Sequence, residues 1–444
     1  MSVPGLDQVA AALREMTGLK LDPIIGPDVA AAAERASQRL GLDSLTTLAQ
    51  RLRADHRLDD EFIAELTVGE TYFFRDLPHF EFVRDFVLPA RHAAGRTGTF
   101  RVWSAGCSTG EEAWSLAMLC LHLQLPSFDV LATDLSVRAL AAAAAGSYPA
   151  WSVDRCPSPM LSGWVLPQDG RHQVSQALMG SVRFEYLNLA SDTYPRVATG
   201  TSGLDLIFCR NVLIYLDPKS VALVYQKFFD ALAVGGCLVC GPSDPVPPAQ
   251  LPFKRVDSGM GFAYLRDAPD ERVVSPALLA PVPAPLRALP RTSLPRVVPS
   301  PPPVEDDSPQ VASRTATGLA NQGLHAQALD EVVRALVNHP QSVELRFLAA
   351  SLLLGAGQLP NAVEEFKRVL YLDPSLAMAH FTLGLALHRL GKPEDAARAY
   401  RNAERLAAAR PPEELVPLSD GQAAGRLAHS ARGQLKLLSG GLDD

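Results

Sequence analysis

The chain is poor in the features that mark secreted, membrane-spanning or nucleic-acid-binding proteins. It has six cysteines in 444 residues, irregularly spaced, which is no disulfide framework. No apolar run approaches the ~20 residues needed to cross a bilayer. Its start, Met1-Ser2-Val3-Pro4-Gly5, lacks the basic and apolar regions of a secretory leader, so a reduced, cytoplasmic protein without membrane insertion is expected. Basic residues are not in excess: 41 Lys and Arg face 48 Asp and Glu, a net charge of −7. No general affinity for nucleic acid is expected from that balance. Ten histidines are scattered without ligand spacing, so no metal site is expected. Aromatics are only 7%, yet apolar residues reach 47%. That is ample for buried cores, and at roughly 100–200 residues per domain the length implies two to four of them.

Proline is abundant and unevenly placed. About a third of the 36 prolines fall between Ala268 and Gln310, in runs such as Pro281-Val282-Pro283-Ala284-Pro285 and Pro301-Pro302-Pro303. Proline locks φ and removes a backbone donor, so residues 268–310 read as an extended linker. Beyond it lies a repeat. Gly323, Gly357 and Gly391 are 34 residues apart, and Ala328, Ala362 and Ala396 keep the same step. Val332, Phe366 and Tyr400 share it, as do Pro340 and Pro374. That period resembles the tetratricopeptide repeat, a pair of antiparallel helices per unit. Residues 311–444 are therefore expected to be an all-α repeat domain, with a capping helix between about Glu413 and Leu438. Hung from the linker, it is expected to leave the cofactor site unaffected if removed.

Residues 1–95 look helical, with candidates at Ala30–Leu40 and Leu45–Leu52. From 96 to 267 strands and helices alternate. Strand-like runs at Phe100–Ser104, Asp129–Asp134, Val182–Tyr186, Leu204–Cys209 and Gly236–Cys240 are interleaved with helical patterns at Glu111–Leu123, Val137–Ala145 and Val221–Leu232. Such alternation implies a doubly wound parallel sheet, whose ligand lies beyond the carboxyl ends of the strands.

Five short motifs carry chemistry. Ala105-Gly106-Cys107-Ser108-Thr109-Gly110-Glu111-Glu112 is a glycine turn between a strand and a helix. Its acidic pair would repel a pyrophosphate but suits a cationic or amino-bearing ligand, or simply complements the helix dipole. Asp134 ends the next strand, where a carboxylate accepts from ribose hydroxyls or caps the following helix. Thr71-Tyr72-Phe73-Phe74-Arg75-Asp76 sets two aromatics beside an arginine, as a hinge or a core anchor. Phe208-Cys209-Arg210-Asn211 closes an apolar strand with polar groups that need partners and runs on to Tyr215. Asn188-Leu189 follows the strand ending at Tyr186. Cys237 and Cys240 form Cys-x-x-Cys inside a strand-like run and read as buried thiols.

Taken in their order along the chain, from Thr71 to Tyr215, these motifs resemble the CheR-type chemoreceptor methyltransferases over about residues 1–267. The fusion to repeats resembles the biofilm-formation methyltransferases of WspC type. The resemblance implies an α/β Rossmann-like methyltransferase domain (96–267) behind an N-terminal helical domain (1–95). It implies S-adenosylmethionine as cofactor and receptor glutamates as acceptors. It places Thr71, Arg75, Glu112, Asp134, Asn188, Leu189, Arg210 and Asn211 in the cofactor site, with Arg75 and Tyr215 near the transferred methyl as catalytic residues. A methyl-accepting chemoreceptor-like protein would be the substrate, recruitment to receptor arrays would follow, and an unidentified protein would bind the repeats.

Three departures stand out. Gly69 replaces an asparagine that often contacts the cofactor. The helix around Ala30–Leu40 keeps Arg35 and Arg39 but is otherwise rich in alanine. The segment from Tyr148 to Val182 looks too short for the small β-subdomain that tethers a receptor pentapeptide, with Asp169-Gly170 its only remnant. Pentapeptide tethering is therefore expected to be absent. Two rivals remain: a nicotinamide dehydrogenase, and a scaffold whose repeats bind partners while the transferase is regulatory or acts on another acceptor.

Overall fold

A computed structural model describes residues 4–20, 29–55, 60–67, 69–156, 158–267 and 308–439. The expected linker lies outside these residues apart from its last three, and Pro309 already opens a helix.

The strands are β1 Phe100–Ala105, β2 Phe128–Asp134, β3 Ser147–Tyr148, β4 Val165–Gln168, β5 Arg171–Val174, β6 Val182–Tyr186, β7 Leu204–Cys209, β8 Leu232–Cys240, β9 Phe253–Asp257 and β10 Phe262–Arg266. Seven of them form one sheet in the order β6-β2-β1-β7-β8-β10-β9. β1 and β7 are buried along their whole length, because a central strand covered by helices on both faces excludes water from every side chain. The five strands from β6 to β8 are parallel, whereas β10 runs antiparallel to both neighbours. The sheet is thus mixed rather than purely parallel. A short turn at Ser258–Gly261, closed by the Ser258 N–H donating to the Gly261 carbonyl (3.0 Å), folds β10 back on β9. The crossover reverses direction between β1 and β7, which opens a crevice at their carboxyl ends.

Four helices, Leu6–Thr17, Val29–Arg39, Leu45–Asp55 and Asp60–Leu66, pack around Val9, Leu13, Leu48 and Phe62 at that end. Gly18 turns the chain from the first helix toward the sheet at φ 71°. A Cβ there would sit 2.5 Å from the Ala190 Cβ, so only glycine fits. The Lys20 N–H then donates to the Tyr215 carbonyl at 2.6 Å.

The segment expected to have lost its β-subdomain has a compact one. β3, β5 and β4 form a separate antiparallel sheet. Asp169 and Gly170 are its two-residue turn, with φ 49° and 76°, the positive pair that matches hairpin twist. The sequence hides this sheet because strands of two and four residues carry almost no periodic signal. With the sheet present and β4 at its edge, the argument from length against peptide tethering falls.

The repeats are helix pairs: Pro309–Asn321 with His325–Asn338, Val343–Gly355 with Leu359–Leu372, and Ala377–Arg389 with Pro393–Ala408, closed by Ala424–Leu438. Gly323, Gly357 and Gly391 turn between partners at φ 82°, 74° and 73°. Gly384 lets a Tyr400 ring carbon approach to within 2.5 Å of where a Cβ would stand.

Contrary to expectation, the repeats do not stand apart. Their first helices face the sheet domain. Val197 packs among Ala316, Ala320, Ala349 and Leu352, and Ala198 among Phe347, Ala350 and Phe381. Arg101 meets the His325 ring at 2.5 Å, and the Ser202 hydroxyl donates to Asn321 at 2.6 Å. The cap helix lies on β6, with Tyr186 and His429 ring centroids 5.1 Å apart. Among the described residues no helix is long and apolar enough to cross a membrane.

Candidate active site

A cavity of about 350 Å³ opens at the carboxyl ends of β1, β2 and β7, under the N-terminal helices. That is within the ~300–1,000 Å³ usual for small-molecule sites. It collects Thr71, Arg75, Glu112, Asp134, Asn188, Leu189, Arg210, Asn211 and Tyr215 from across the chain, together with Gly69.

The floor is the glycine turn after β1. Gly106 has φ 81°, and a Cβ on it would lie 2.5 Å from Val212. Gly110 has φ 92°, and a Cβ there would lie 2.6 Å from the Ala143 Cβ. Glycine therefore lets the turn, the Val212 loop and the helix Val137–Ala145 close together. The acidic pair after it divides its work. Glu111 points away from the cavity, buried, and accepts from the Ser152 hydroxyl (2.9 Å) and the Thr109 hydroxyl (2.7 Å). Glu112 faces the cavity. Burial pushes its carboxyl above the ordinary range, while Arg210 and the Ser104 hydroxyl (2.7 Å) pull it back. Only one of the two carboxylates is available to a cationic ligand.

Asp134 accepts from the Ser108 N–H at 2.9 Å and the Ser136 N–H at 2.8 Å. It is not the helix cap, since the Ser136 side chain accepts from Ala139 and caps that helix. Burial raises the Asp134 carboxyl, and no cation is among the groups that offset it, only backbone N–H groups. Each oxygen keeps a further lone pair for a ligand hydroxyl.

The motif Thr71–Asp76 is a strained turn, with Phe74 and Asp76 at φ 51° and 57°. Non-glycine residues adopt that region only when the surroundings over-determine it. Phe73 and Phe74 anchor the turn in the core. The Phe73 N–H donates to the Ser152 carbonyl (3.1 Å) and the Phe74 N–H to the Ser115 hydroxyl (2.9 Å). Arg210 completes the anchorage. Its guanidinium donates to the Arg75 carbonyl (2.7 Å) and Asp76 (2.5 Å) and lies 3.4 Å from Glu112. Arg210 thus borders the cavity with its two Nη groups on protein, while its buried Nε has no partner. Arg75, half-exposed, donates to the Glu70 carbonyl at 2.5 Å and lies over the Tyr72 ring. Tyr215 shares this mouth; burial raises its hydroxyl pKa, offset by the Arg75 charge.

Asn188 is likewise committed. Its amide oxygen accepts from Ala190 (3.0 Å) and Ser191 (3.2 Å), and its amide nitrogen donates to the Met16 carbonyl (2.9 Å). It shapes the cavity wall beside its neighbour Leu189. Asn211 is the opposite case. Its backbone is left-handed at φ 58°, and its buried Oδ1 has no partner. A buried acceptor without a donor costs about 1–3 kcal/mol, and this one borders the cavity.

Asp244 escapes a sequence reading. Its carboxylate accepts from the N–H groups of Gly241 (2.8 Å), Asn211 (2.6 Å), Val212 (3.1 Å), Leu213 (3.0 Å) and Ile214 (3.3 Å). It holds the Arg210–Tyr215 turn as one unit. The available signal was an aspartate two residues beyond Gly241-Pro242, just after a buried strand. Lys227 was missed as well: its ammonium donates to the carbonyls of Leu189 (3.3 Å), Ala190 (3.3 Å) and Asp192 (2.8 Å).

Cys237 and Cys240 lie in cores on opposite faces of β8, so they do not converge on one ion. Burial raises both thiols, that of Cys237 to about 12.

Residues 69–262 match the family described as "CheR methyltransferase, SAM binding domain", and residues 352–391 match a TPR repeat. The chemotaxis protein methyltransferase of Listeria innocua is 34% identical over 198 residues, 44% of this chain and 73% of that one. Chemotaxis protein methyltransferase 2 of Vibrio cholerae is 36% identical, covering 45% and 71%. The probable biofilm formation methyltransferase WspC of Pseudomonas putida is 27% identical across 418 residues, 88% of this chain and 98% of that one. The cavity's residues suit the cofactor: Glu112 for its cationic groups, Asp134 for a ribose diol, and the bare Asn211 oxygen for an N–H or O–H. The chain belongs to the CheR family of S-adenosylmethionine-dependent methyltransferases, joined here to tetratricopeptide repeats.

Proposed function

We propose that the protein methylates glutamate side chains of a methyl-accepting, chemoreceptor-like signalling protein in the cytoplasm, using the cavity under the N-terminal helices. The observation that supports this reading most directly is the pairing of buried acceptors on the cofactor side, Asp134 and the Asn211 oxygen, with a half-exposed Arg75 and Tyr215 at the mouth. The cofactor supplies an electrophilic methyl on a sulfonium. A glutamate with a pKa of about 4.3 is already an anionic nucleophile at neutral pH. The protein therefore needs no general base, only placement and removal of water, which together account for a large part of such barriers.

Arg75 and Tyr215 are positioning groups at the mouth. Arg75 steers the acceptor carboxylate without holding it tightly, because over-binding the ground state would slow transfer. Its single carbonyl contact leaves further N–H donors for this purpose. Arg210 fixes the strained turn that presents Arg75. Glu112 and Asp134 take the cofactor's charged and hydroxyl groups.

The acceptor is expected to approach without strong charge steering from the second helix. Arg35 and Arg39 both contact Glu65, at 2.6 and 2.9 Å, and Arg39 also meets Glu61 at 2.9 Å. The repeats act as a protein-docking module for recruitment to receptor assemblies. Their outer face offers Val333, Val337 and Tyr371, all exposed. Transfer of labelled methyl from S-adenosylmethionine to a receptor cytoplasmic domain tests the reading, with Asp134→Ala as control. Base-labile label on glutamate supports it, and label absent from both proteins, or on another side chain, overturns it.

A further inference from the structure

The segment between β6 and β7 has two ends with different duties. At one end, Asn188 and Leu189 form a wall of the cofactor cavity. At the other, Arg196, Val197 and Ala198 enter the inner face of the repeats. An array of this kind normally leaves its inner face to a foreign peptide or helix. Here the chain's own loop fills it.

The grip is specific. Arg196 is 4% exposed. Its guanidinium donates to the Gln422 side chain at 2.5 Å and to the Ser419 carbonyl, and lies 3.7 Å from the Met378 sulfur. Its own backbone is pinned, with its N–H on the Thr201 hydroxyl (2.9 Å) and its carbonyl accepting from the Thr201 N–H (3.1 Å). A second contact comes from the cap helix, where Arg426 donates to the Ser191 carbonyl. Ser191 itself donates to the Asn188 side chain, and Asp192 exchanges hydrogen bonds with the Asn188 backbone at 2.7 and 2.9 Å. From the cap helix to the cavity wall there is an unbroken run of directional bonds. On the repeat side, Ala377–Arg389 is buried on every face, which is how a helix covered from both sides reads.

We propose that Arg196 and Arg426 are positioning residues for cofactor binding. By tying residues 190–201 into the repeats and their cap, they hold Asn188 and Leu189 in the conformation that receives S-adenosylmethionine, so the repeats complete the cofactor site. The proposal rests on Asn188–Leu189 being a cofactor wall.

The test uses the full chain and titrates S-adenosylhomocysteine by calorimetry into Arg196→Met, Arg196→Lys and Arg426→Ala proteins. Asp134→Ala serves as a site control, and Arg398→Ala, on the outer face of the repeats, as a surface control. The expected result is a dissociation constant raised about tenfold by Arg196→Met and about threefold by Arg426→Ala, with Arg398→Ala unchanged. Arg196→Lys should recover part of the loss. The KM for S-adenosylmethionine should rise while kcat changes little, and amide exchange at residues 188–192 should quicken. Should Arg196→Met fail to fold, Arg426→Ala, whose side chain lies at the surface, decides the matter. Unchanged affinity in the folded variants, with Asp134→Ala still losing it, overturns the proposal alone. Unchanged affinity in Asp134→Ala as well overturns the placement of the cofactor.

Discussion

Asp129 and Asp134 stand at opposite ends of β2, five residues apart, and their surroundings could hardly differ more. Asp129 meets Arg183 through both oxygens at 3.0 Å. Burial would raise it, but Arg183 holds it well below the usual carboxylate range. Arg183 in turn meets Glu185 at 2.6 Å. Asp134 is buried too, yet receives only backbone N–H groups and is pushed upward. Near the lower end of the sheet, which the repeats cover, Asp129, Arg183 and Glu185 pair with one another. The upper end leaves acceptors short of partners, as at the Asn211 oxygen. The first arrangement closes on itself, whereas the second turns its spare acceptors toward the cavity.

The widest separation should come from mutating the two aspartates. Asp129→Ala leaves Arg183 buried with half its partners and should cost about 3–5 kcal/mol in urea unfolding. Asp134→Ala should cost less, about 1–2 kcal/mol for the Ser108 and Ser136 N–H groups it leaves, while weakening S-adenosylhomocysteine binding roughly a hundredfold, as for two lost hydrogen bonds to a charged group. Equal effects on stability would erase the contrast.

The arginines at the mouth offer a parallel pair. Arg75→Ala should lower turnover about a hundredfold and leave stability nearly intact, because its contacts, the Glu70 carbonyl and the Tyr72 ring, lie toward the surface. Arg210→Ala should destabilise by about 3 kcal/mol by leaving Asp76 and Glu112 unpaired. Melting curves beside initial rates distinguish the two.

Acid probes the seam. Burial lowers His325 to about 3, helped by Arg101, and His429 to about 4, helped by Arg432 and Lys436. Unfolded histidine takes a proton near 6.5. Below that value the unfolded state binds more protons, so stability is full above pH 6.5 and falls as pH drops toward 4. At pH 5 each should contribute a loss of roughly 2 kcal/mol. His325→Gln and His429→Gln should each flatten the profile by that amount. A seam insensitive to both variants would mean that water reaches these rings.

Gly69 gives the smallest expected change. It has open space, with only the Ser108 hydroxyl oxygen 3.7 Å from a built Cβ. Gly69→Asn should tighten cofactor binding about fivefold, as for one added hydrogen bond, measured by calorimetry.

Much of the site was legible before the fold. The motifs around Thr71, Gly106, Asp134, Asn188 and Arg210 converge on one cavity, because short-range chemistry at strand ends is written locally. What the motifs did not show was commitment. Asn188 and Arg210 line the cavity, and the Asn188 amide and the Arg210 Nη groups also pair with Met16, Ser191, Arg75 and Asp76. Residue type shows that a polar group needs a partner, not which partner is nearest. The three-stranded sheet was underestimated because its strands are too short for periodicity. The seam had a signal that went unused: Ala377–Arg389 is apolar all round, more than one helical partner requires.

The order of the five parallel strands and the helices between them, the 34-residue period, the turn glycines and the positions of the acidic groups all followed from the sequence, because each depends on neighbours a few residues away. Which carboxylate is neutralised and which is left for a cofactor depended on Arg183 and Arg210, brought in from 54 and 98 residues away. Likewise the loop after β6 fills the inner face of the repeats through Arg196 and Gln422, 226 residues apart. Burial and pairing at that range are properties of packing, and only the tertiary structure could decide them.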